Sequence, residues 1–209
     1  MYREQIVVTI ISSADSDFSS ELYREQIKNK IKMKKILAFA GSTSSTSINK
    51  QLATFAAENL ENTSFDVVDL RDFNFPVYST DEEQNGFPED AKKFNELLNN
   101  YDGFILSLAE HNGSYTAAFK NIFDWSSRLE VNVFREKPLL LMATSPGGMG
   151  GRFVMAAAEQ RFPRQGAKTI TTFSLPNFYD NFKEGKLTNK ELLAALKSKV
   201  VEFENNVNQ

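Results

Sequence analysis

The sequence predicts one α/β domain in which a five-stranded parallel sheet carries helices on both faces. Apolar strands alternate regularly with amphipathic helices from Lys35 to the end of the chain, as in repeated strand-helix-strand units. The strands are apolar at successive residues, which indicates that both faces of the sheet are covered. The chain has 209 residues, of which 41% are hydrophobic, so it suits one sizeable core.

The alternation begins with an apolar strand at 36–40, which Gly41 ends. Apolar residues then recur along one face of a predicted helix; they are Ile48, Leu52, Phe55 and Leu60. A second strand is predicted at 65–68. Residues 71–86 contain proline and glycine and predict a long loop, and a helix follows at 87–99.

The second half of the chain repeats strand and helix three times. Its strands are predicted at 103–109, 138–144 and 167–172. Its helices are predicted at 115–128, in a segment that ends at Arg161, and around Leu193, Leu196, Val200 and Phe203. Five parallel strands of this kind suit the order 2-1-3-4-5.

Composition excludes several classes of function. The net charge is −3 and the basic residues are scattered, so we expect no nucleic-acid partner. The chain has no cysteine, which excludes disulfides and thiolate chemistry and is compatible with the reducing cytoplasm, where we expect the protein to be. A histidine-based metal cluster or a Ser-His-Asp triad would depend on the single histidine, His111, and we expect neither. No apolar run is long enough to cross a membrane.

The start of the domain is expected at Met33, which directly precedes the first strand. We expect residues 1–32 to be an extension, either disordered or the product of a misassigned start, and residues 33–209 to form the domain. The short apolar stretch near the beginning is too brief for the core of a secretory signal.

Ligands of open parallel sheets bind beyond the carboxyl ends of the strands, so the segments that follow the strands are the candidate site. The first is rich in hydroxyl groups and runs into a helix, which predicts a phosphate site built from backbone N–H groups and the positive helix end. The candidate residues are Gly41, Ser42, Thr43, Ser44, Ser47, Ile48 and Asn49. The alternative is an ordinary helix cap, because serine and threonine are common there.

The segments after the third and fourth strands complete the candidate site. After the third strand, backbone amides next to a glycine predict contact with the edge of a planar ring; the residues are Glu110, His111, Asn112, Gly113 and Ser114. After the fourth strand, a glycine-rich turn predicts contact with a heteroaromatic edge or a second anion, through Ser145, Pro146, Gly147, Gly148 and Met149. The alternatives are a capping or solvent-facing role for His111 and a plain flexible turn for the glycine-rich segment, and we assign His111 no acid–base role.

These three segments together resemble the NAD(P)H-dependent FMN reductase family, whose members have a flavodoxin-like three-layer fold and include chromate, quinone and azo-dye reductases. The resemblance runs from Met33 to nearly the C-terminus. It rests on Gly41, Ser42, Ser47 and Asn49 in the first segment, Glu110, Asn112, Gly113 and Ser114 in the second, Lys120, Asn121, Asp124 and Trp125 in the next helix, and Ser145, Gly147, Gly150, Gly151 and Arg152 in the third. Departures are Ser44 for arginine, Ala109 and Thr116 for proline, and His111 for tyrosine.

The resemblance implies FMN as cofactor, NADPH or NADH as co-substrate, and a small electron acceptor such as a flavin, quinone, azo compound or chromate. It implies hydride transfer through the flavin with no catalytic side chain, and amides of Gly147 and Gly148 that stabilise negative charge on the ring. It also implies a homodimer or homotetramer, with helix 115–128 and its residues Phe119, Phe123 and Trp125 as the expected contact; ordinary core packing is the alternative. The rival functions are a flavodoxin-type electron carrier and a flavin-free interaction module.

Overall fold

The computed structural model describes residues 33–209, so the expectations for residues 1–32 lie outside the described part of the chain. The strands are β1 (Lys35–Gly41), β2 (Ser64–Val68), β3 (Gly103–Leu108), β4 (Glu110–His111), β5 (Ser114–Tyr115), β6 (Lys137–Thr144), β7 (Ala167–Leu175), β8 (Phe182–Lys183) and β9 (Lys186–Leu187). Five of them form a parallel sheet in the order β2-β1-β3-β6-β7, and β4-β5 and β8-β9 form small antiparallel hairpins. With the hairpins set aside, this is the predicted flavodoxin-like order 2-1-3-4-5.

Helices cover both faces of the sheet. They are α1 (Ile48–Glu58), α2 (Thr80–Gln84), α3 (Glu89–Leu98), α4 (Ala117–Leu129), α5 (Arg152–Arg161), α6 (Phe178–Asn181) and α7 (Lys190–Val207). One face carries α1 and α7, and the other carries α3, α4 and α5. Among the described residues, no helix has both the length and the apolar character that a bilayer-spanning segment requires.

The side chains of β1 show why the strands are apolar at every residue. Ile36 and Ala38 belong to the core cluster beneath α1 and α7, whereas Leu37 and Phe39 belong to the cluster beneath α3 and α4. All four are buried. Successive side chains of a strand point to opposite faces, so two covered faces require an unbroken apolar run.

Several boundaries differ from the sequence prediction. Strand β7 continues to Leu175 because its last residues pair with β6 as far as Thr144. The segment predicted as a loop contains the short helix α2, which Ser79 caps by accepting a hydrogen bond from Glu82 N. Helix α4 begins at Ala117 rather than at 115, because the two residues before Thr116 pair in the hairpin.

The aromatic residues of α4 face the core of their own domain. Phe119, Phe123 and Trp125 are buried, and the indole N–H of Trp125 donates a hydrogen bond to Pro76 O at 2.8 Å. Our expectation that these three residues form a contact between subunits is therefore wrong. The side-chain amide of Asn121 also binds the segment around Pro76, because it accepts a hydrogen bond from Tyr78 N and donates one to Pro76 O.

Candidate functional site

The three predicted segments meet at one edge of the sheet. Gly41 pairs with Leu108, and Leu108 pairs with Ala143, so β1, β3 and β6 end side by side. We call residues 42–47 loop 1, residues 110–115 the hairpin, and residues 145–151 the glycine turn. The structure therefore brings together the segments that the sequence selected, as the rule for parallel sheets requires.

Loop 1 is ordered by its own hydroxyl groups. Ser44 N donates to Ser42 Oγ at 3.2 Å, and Thr46 N donates to Ser44 Oγ at 3.3 Å. Ser47 caps α1, because its hydroxyl accepts from Lys50 N at 3.1 Å. These bonds hold the exposed loop in a fixed turn at the positive end of the helix.

Two amides at the start of α1 have no acceptor within the described residues. The first N–H groups of a helix have no partner within it, and at α1 these belong to Ile48 and Asn49. The exposed Thr43 and Ser45 lie earlier in loop 1 and add hydroxyl groups. Loop 1 thus offers backbone and hydroxyl donors to an anion without any lysine or arginine of its own.

The side chain of Asn49 connects secondary-structure elements rather than facing the candidate site. It is buried, donates from Nδ2 to Thr144 O at 3.2 Å, and accepts from Thr144 N at 3.0 Å. Its Oδ1 also accepts from the hydroxyl of Ser107 at 2.7 Å. The side-chain amide of Asn49 thus links α1 to the ends of β3 and β6. Only the backbone N–H of this residue is left to contact a ligand.

The segment after β3 is a tight β-hairpin. Glu110 pairs with Tyr115 and His111 pairs with Ser114, so Asn112 and Gly113 form a two-residue turn. Both turn residues have positive φ values, 51° and 75°, as a type I′ turn requires. The glycine is thus explained by the turn itself, and the asparagine–glycine pair was a signal for a hairpin that our sequence interpretation missed.

Two polar side chains attach the hairpin region to the other segments. Thr116 Oγ1 donates to Gly41 O at 2.8 Å and also accepts from Phe119 N, which caps α4. Glu110 Oε2 accepts from Phe153 N and Val154 N at 2.9 Å each, at the start of α5. The threonine that replaces the proline of the resembled family therefore has a definite structural role here.

The glycines of the glycine turn divide into two pairs. A Cβ on Gly150 would lie 2.2 Å from Ser174 Oγ, and a Cβ on Gly151 would lie 2.7 Å from Ala143 Cβ; both residues have positive φ. Gly147 has open space at the Cβ position, and Gly148 has only the amide of Asn177 near 4 Å. The first pair is needed for packing, and the second pair leaves bare backbone facing outward.

The segment after β7 supports the glycine turn, and our sequence interpretation missed it. Asn177 N donates to Gly147 O at 3.0 Å, and Phe178 N donates to Ser145 O at 3.1 Å. Asn177 has a left-handed backbone with φ 48°, which asparagine adopts more readily than most residues. Its position directly after a parallel strand was the available signal.

A charged cluster lies near loop 1, beyond the end of β2. Asp69 accepts from the Arg71 guanidinium at 2.7 Å and pairs with Lys50. The hydrogen bonds from Arg71, and then those from Lys50, hold the pKa of the Asp69 carboxyl well below its ordinary value despite partial burial. Because Lys50 is engaged by this carboxylate, the anion-binding capacity of loop 1 depends chiefly on its backbone.

The donors at this edge fit FMN. The phosphate group needs converging N–H and hydroxyl donors, which loop 1 and the start of α1 provide. The pyrimidine edge of the ring needs uncovered amides, and Gly147, Gly148 and Met149 are exposed. Within residues 33–209, no backbone or side-chain acceptor takes a hydrogen bond from these three N–H groups.

The sheet order thus defines a flavodoxin-like protein, and the donors at this edge of the sheet would suit a phosphate-bearing planar cofactor. The family model for NADPH-dependent FMN reductases matches residues 34–180, which is most of the chain. The protein therefore belongs to that family of enzymes, which use FMN and NAD(P)H.

Individual relatives point to related activities. The chain is 36% identical over 118 residues to the 2-hydroxy-1,4-benzoquinone reductase of a Burkholderia species, a match that covers 56% of this chain and 63% of that enzyme. It is 27% identical over 174 residues to an NADPH:quinone oxidoreductase of Arabidopsis thaliana, which covers 78% of this chain and 86% of that protein. Among solved structures, the flavoenzyme FerB of Paracoccus denitrificans superposes with a TM-score of 0.66 at 22% identity, over 84% of this chain and 97% of FerB. This last likeness supports the fold.

Proposed function

We propose that this enzyme is an NAD(P)H-dependent quinone reductase, which transfers two electrons to a small quinone. The observation that carries the flavin part of the proposal is the set of uncovered amides at Gly147, Gly148 and Met149, at the same sheet edge as the start of α1. Both relatives described above carry quinone reduction in their names. The reaction consumes NAD(P)H, a proton and a quinone, and yields NAD(P)⁺ and a hydroquinone.

We further propose which groups hold the cofactor. Loop 1 and the first amides of α1 would bind the phosphate, from Gly41 and Ser42 through Ile48 and Asn49. The glycine turn would meet the pyrimidine edge of the ring, and the outer residues of the hairpin would lie along its side. The hairpin residues are His111, Asn112, Gly113 and Ser114, and all four are exposed.

The residues act by binding and orientation. Bound FMN would supply the chemistry of hydride transfer between the nicotinamide and the acceptor, and the residues around it would bind and orient it. The amides of Gly147 and Gly148 would stabilise negative charge at the pyrimidine edge, because fixed donors require no reorganisation when charge develops. Protons would reach the acceptor from solvent, because the hairpin tip and the glycine turn are exposed.

Exposed apolar side chains favour a planar organic acceptor over an anion. Met149 and Phe153 are about half exposed beside the glycine turn, and Tyr179 is exposed just after the segment that supports it. A quinone ring gains from contact with such surfaces. Chromate would gain nothing from them, so we rank it below quinones, flavins and azo compounds.

The test is a titration of the purified protein with FMN, followed by anaerobic addition of NADPH and, separately, NADH. We expect a shifted flavin band that bleaches with at least one nucleotide and returns when 1,4-benzoquinone is added. Steady-state rates with benzoquinone, free FMN, an azo dye and chromate then rank the acceptors. A bound flavin that neither nucleotide bleaches would favour an electron carrier, and absence of FMN binding would refute both functions.

We also propose that the enzyme is a homodimer or homotetramer, as the family resemblance implies. The three buried aromatic residues of α4 do not make the contact, so it must use other surfaces. Light scattering on the FMN-loaded protein would measure the mass. A monomer at micromolar concentration would refute this part of the proposal.

A further inference from the structure

Helix α5 begins without a side-chain cap of its own. Gly151 occupies the capping position with a left-handed backbone and has no side chain to accept a hydrogen bond. Arg152 N donates to Met149 O, and Met155 N donates to Gly151 O. The two amides between them, at the second and third helical positions, would be unsatisfied without an external acceptor.

Glu110 supplies that acceptor from a distant part of the chain. One oxygen, Oε2, accepts both Phe153 N and Val154 N at 2.9 Å, across 43 and 44 residues of sequence. The carboxylate also lies at the positive end of α5, where negative charge is favourable. A charged acceptor with two short bonds is among the stronger hydrogen-bonded contacts in proteins.

The same contact fixes the position of the hairpin. Glu110 lies in β4, and its cross-strand partner Tyr115 packs on the rings of Phe119 and Phe162. The tip of the hairpin, by contrast, is exposed. Glu110 and Tyr115 therefore hold the two strands of the hairpin at its base, and Glu110 adds two hydrogen bonds to the helix that follows the glycine turn.

We infer that Glu110 is a positioning residue for FMN, which sets the distance between the hairpin and the glycine turn and places a negative charge at the cofactor cleft. This inference rests on the proposed FMN contacts of both segments. It gives Glu110 a different role from the direct contact predicted from sequence, because the carboxylate is already engaged by α5. Without it, the hairpin and the turn would each persist but lose their fixed spacing.

The experiment compares two variants of this residue with a matched control. Glu110→Ala removes the acceptor, whereas Glu110→Gln keeps one oxygen that can accept both bonds but removes the charge. Asn189 caps α7 by accepting two bonds from Glu191 N and Leu192 N at 3.1 Å, so Asn189→Ala removes an equivalent cap outside the proposed FMN contacts. Each apoprotein is titrated with FMN by flavin fluorescence, and its urea midpoint is measured.

We expect Glu110→Ala to weaken FMN binding about tenfold, which corresponds to the loss of roughly one strong cap. The FMN affinity of Glu110→Gln should lie within about threefold of the wild-type affinity, because the remaining oxygen can still accept both hydrogen bonds. Asn189→Ala should lose similar stability but keep the wild-type affinity. Equal affinity for FMN in Glu110→Ala and wild type would overturn the inference.

A second readout separates positioning from general stability. Removal of the negative charge in Glu110→Gln should raise the midpoint potential of the bound flavin, because a nearby carboxylate opposes the arrival of electrons. An unchanged potential would overturn the placement of this charge at the cleft, even if Glu110→Ala failed to fold. If the wild type itself did not bind FMN, the proposed function would fail instead, so the two failures are distinguishable.

Discussion

Replacement of Asn49 by alanine is the sharpest test of how the cleft is built. The buried amide makes three hydrogen bonds, two with the backbone of Thr144 and one with Ser107 Oγ. Alanine would leave a donor N–H, a carbonyl and a hydroxyl without their partners in a buried position. At about 1 kcal/mol for each lost bond, we expect Asn49→Ala to lower the free energy of unfolding by about 3 kcal/mol.

Urea denaturation measures this loss directly. For a slope of about 2 kcal/mol per molar urea, the midpoint should fall by about 1.5 M with an unchanged slope. The FMN affinity should fall as well, because α1 would lose its link to the end of β6. Ser107→Ala is the milder comparison, since it removes one bond and should cost about 1 kcal/mol.

The double variant decides whether the three groups form one network. In the Asn49→Ala background the Ser107 hydroxyl has no acceptor, so its removal should cost almost nothing. The coupling energy between the two sites should therefore be about 1 kcal/mol. If Asn49→Ala costs less than about 1 kcal/mol, or if Ser107→Ala costs the same in both backgrounds, the amide does not hold the strand ends together.

Three further changes have expected outcomes. Tyr115→Phe should leave the free energy of unfolding in urea unchanged or raise it by up to about 1 kcal/mol. The Tyr115 hydroxyl is buried without a hydrogen-bond partner in the described structure, and burial raises its pKa to about 12. A clear loss of stability would reveal a missing partner. Glu204→Ala should cost about 3 kcal/mol in thermal unfolding, since its buried carboxylate accepts bonds from residues 61–63, and a loss below 1 kcal/mol would contradict this. Hydrogen bonds from Arg71 are the chief cause of the lowered pKa of Asp69. The carboxylate of Asp69 therefore stabilises the fold above its ordinary pKa of 3.8, and this stabilisation is lost as the pH falls through the lower pKa of the folded state. Asp69→Asn should make the free energy of unfolding depend less on pH in acid, and an unchanged dependence would refute the linkage.

The sheet was predictable because burial of a strand on both faces can be recognised from the residues of that strand alone. Every strand of a covered parallel sheet must be apolar at successive residues, and the run at 36–40 shows this without any knowledge of its neighbours. The end of β7 was harder to predict because threonine and serine alternate with apolar residues there. Its true end at Leu175 depends on pairing with β6, which the local sequence does not encode.

The place of the candidate site was also predictable, but the roles within it were not. Strand ends select loop 1, the hairpin and the glycine turn by position alone. Composition cannot tell Gly147, which faces open space, from Gly150, whose Cβ would collide with Ser174. That distinction depends on what lies next to each backbone position, and it appears only once β7 is packed beside β6.

Side chains that link distant segments were the least predictable. Asn49 reaches Thr144 across 95 residues, and Glu110 reaches Val154 across 44. Each looked like a ligand contact because it lies beside glycine and hydroxyl residues at a strand end. A polar side chain in such a segment can contact a ligand or form a hydrogen bond with a distant part of the same chain. The sequence does not show which of the two lies closer.

The links among the three segments form a closed set. Asn49 joins α1 to the strand that precedes the glycine turn, Thr116 joins the hairpin region to Gly41, and Glu110 joins the hairpin to the helix after the turn. Each pair of segments thus has its own hydrogen-bonded link, which sets the spacing of that pair. The cleft can therefore keep its backbone amides fixed although most of its surface is exposed, which is the preorganisation that charge stabilisation by amides requires.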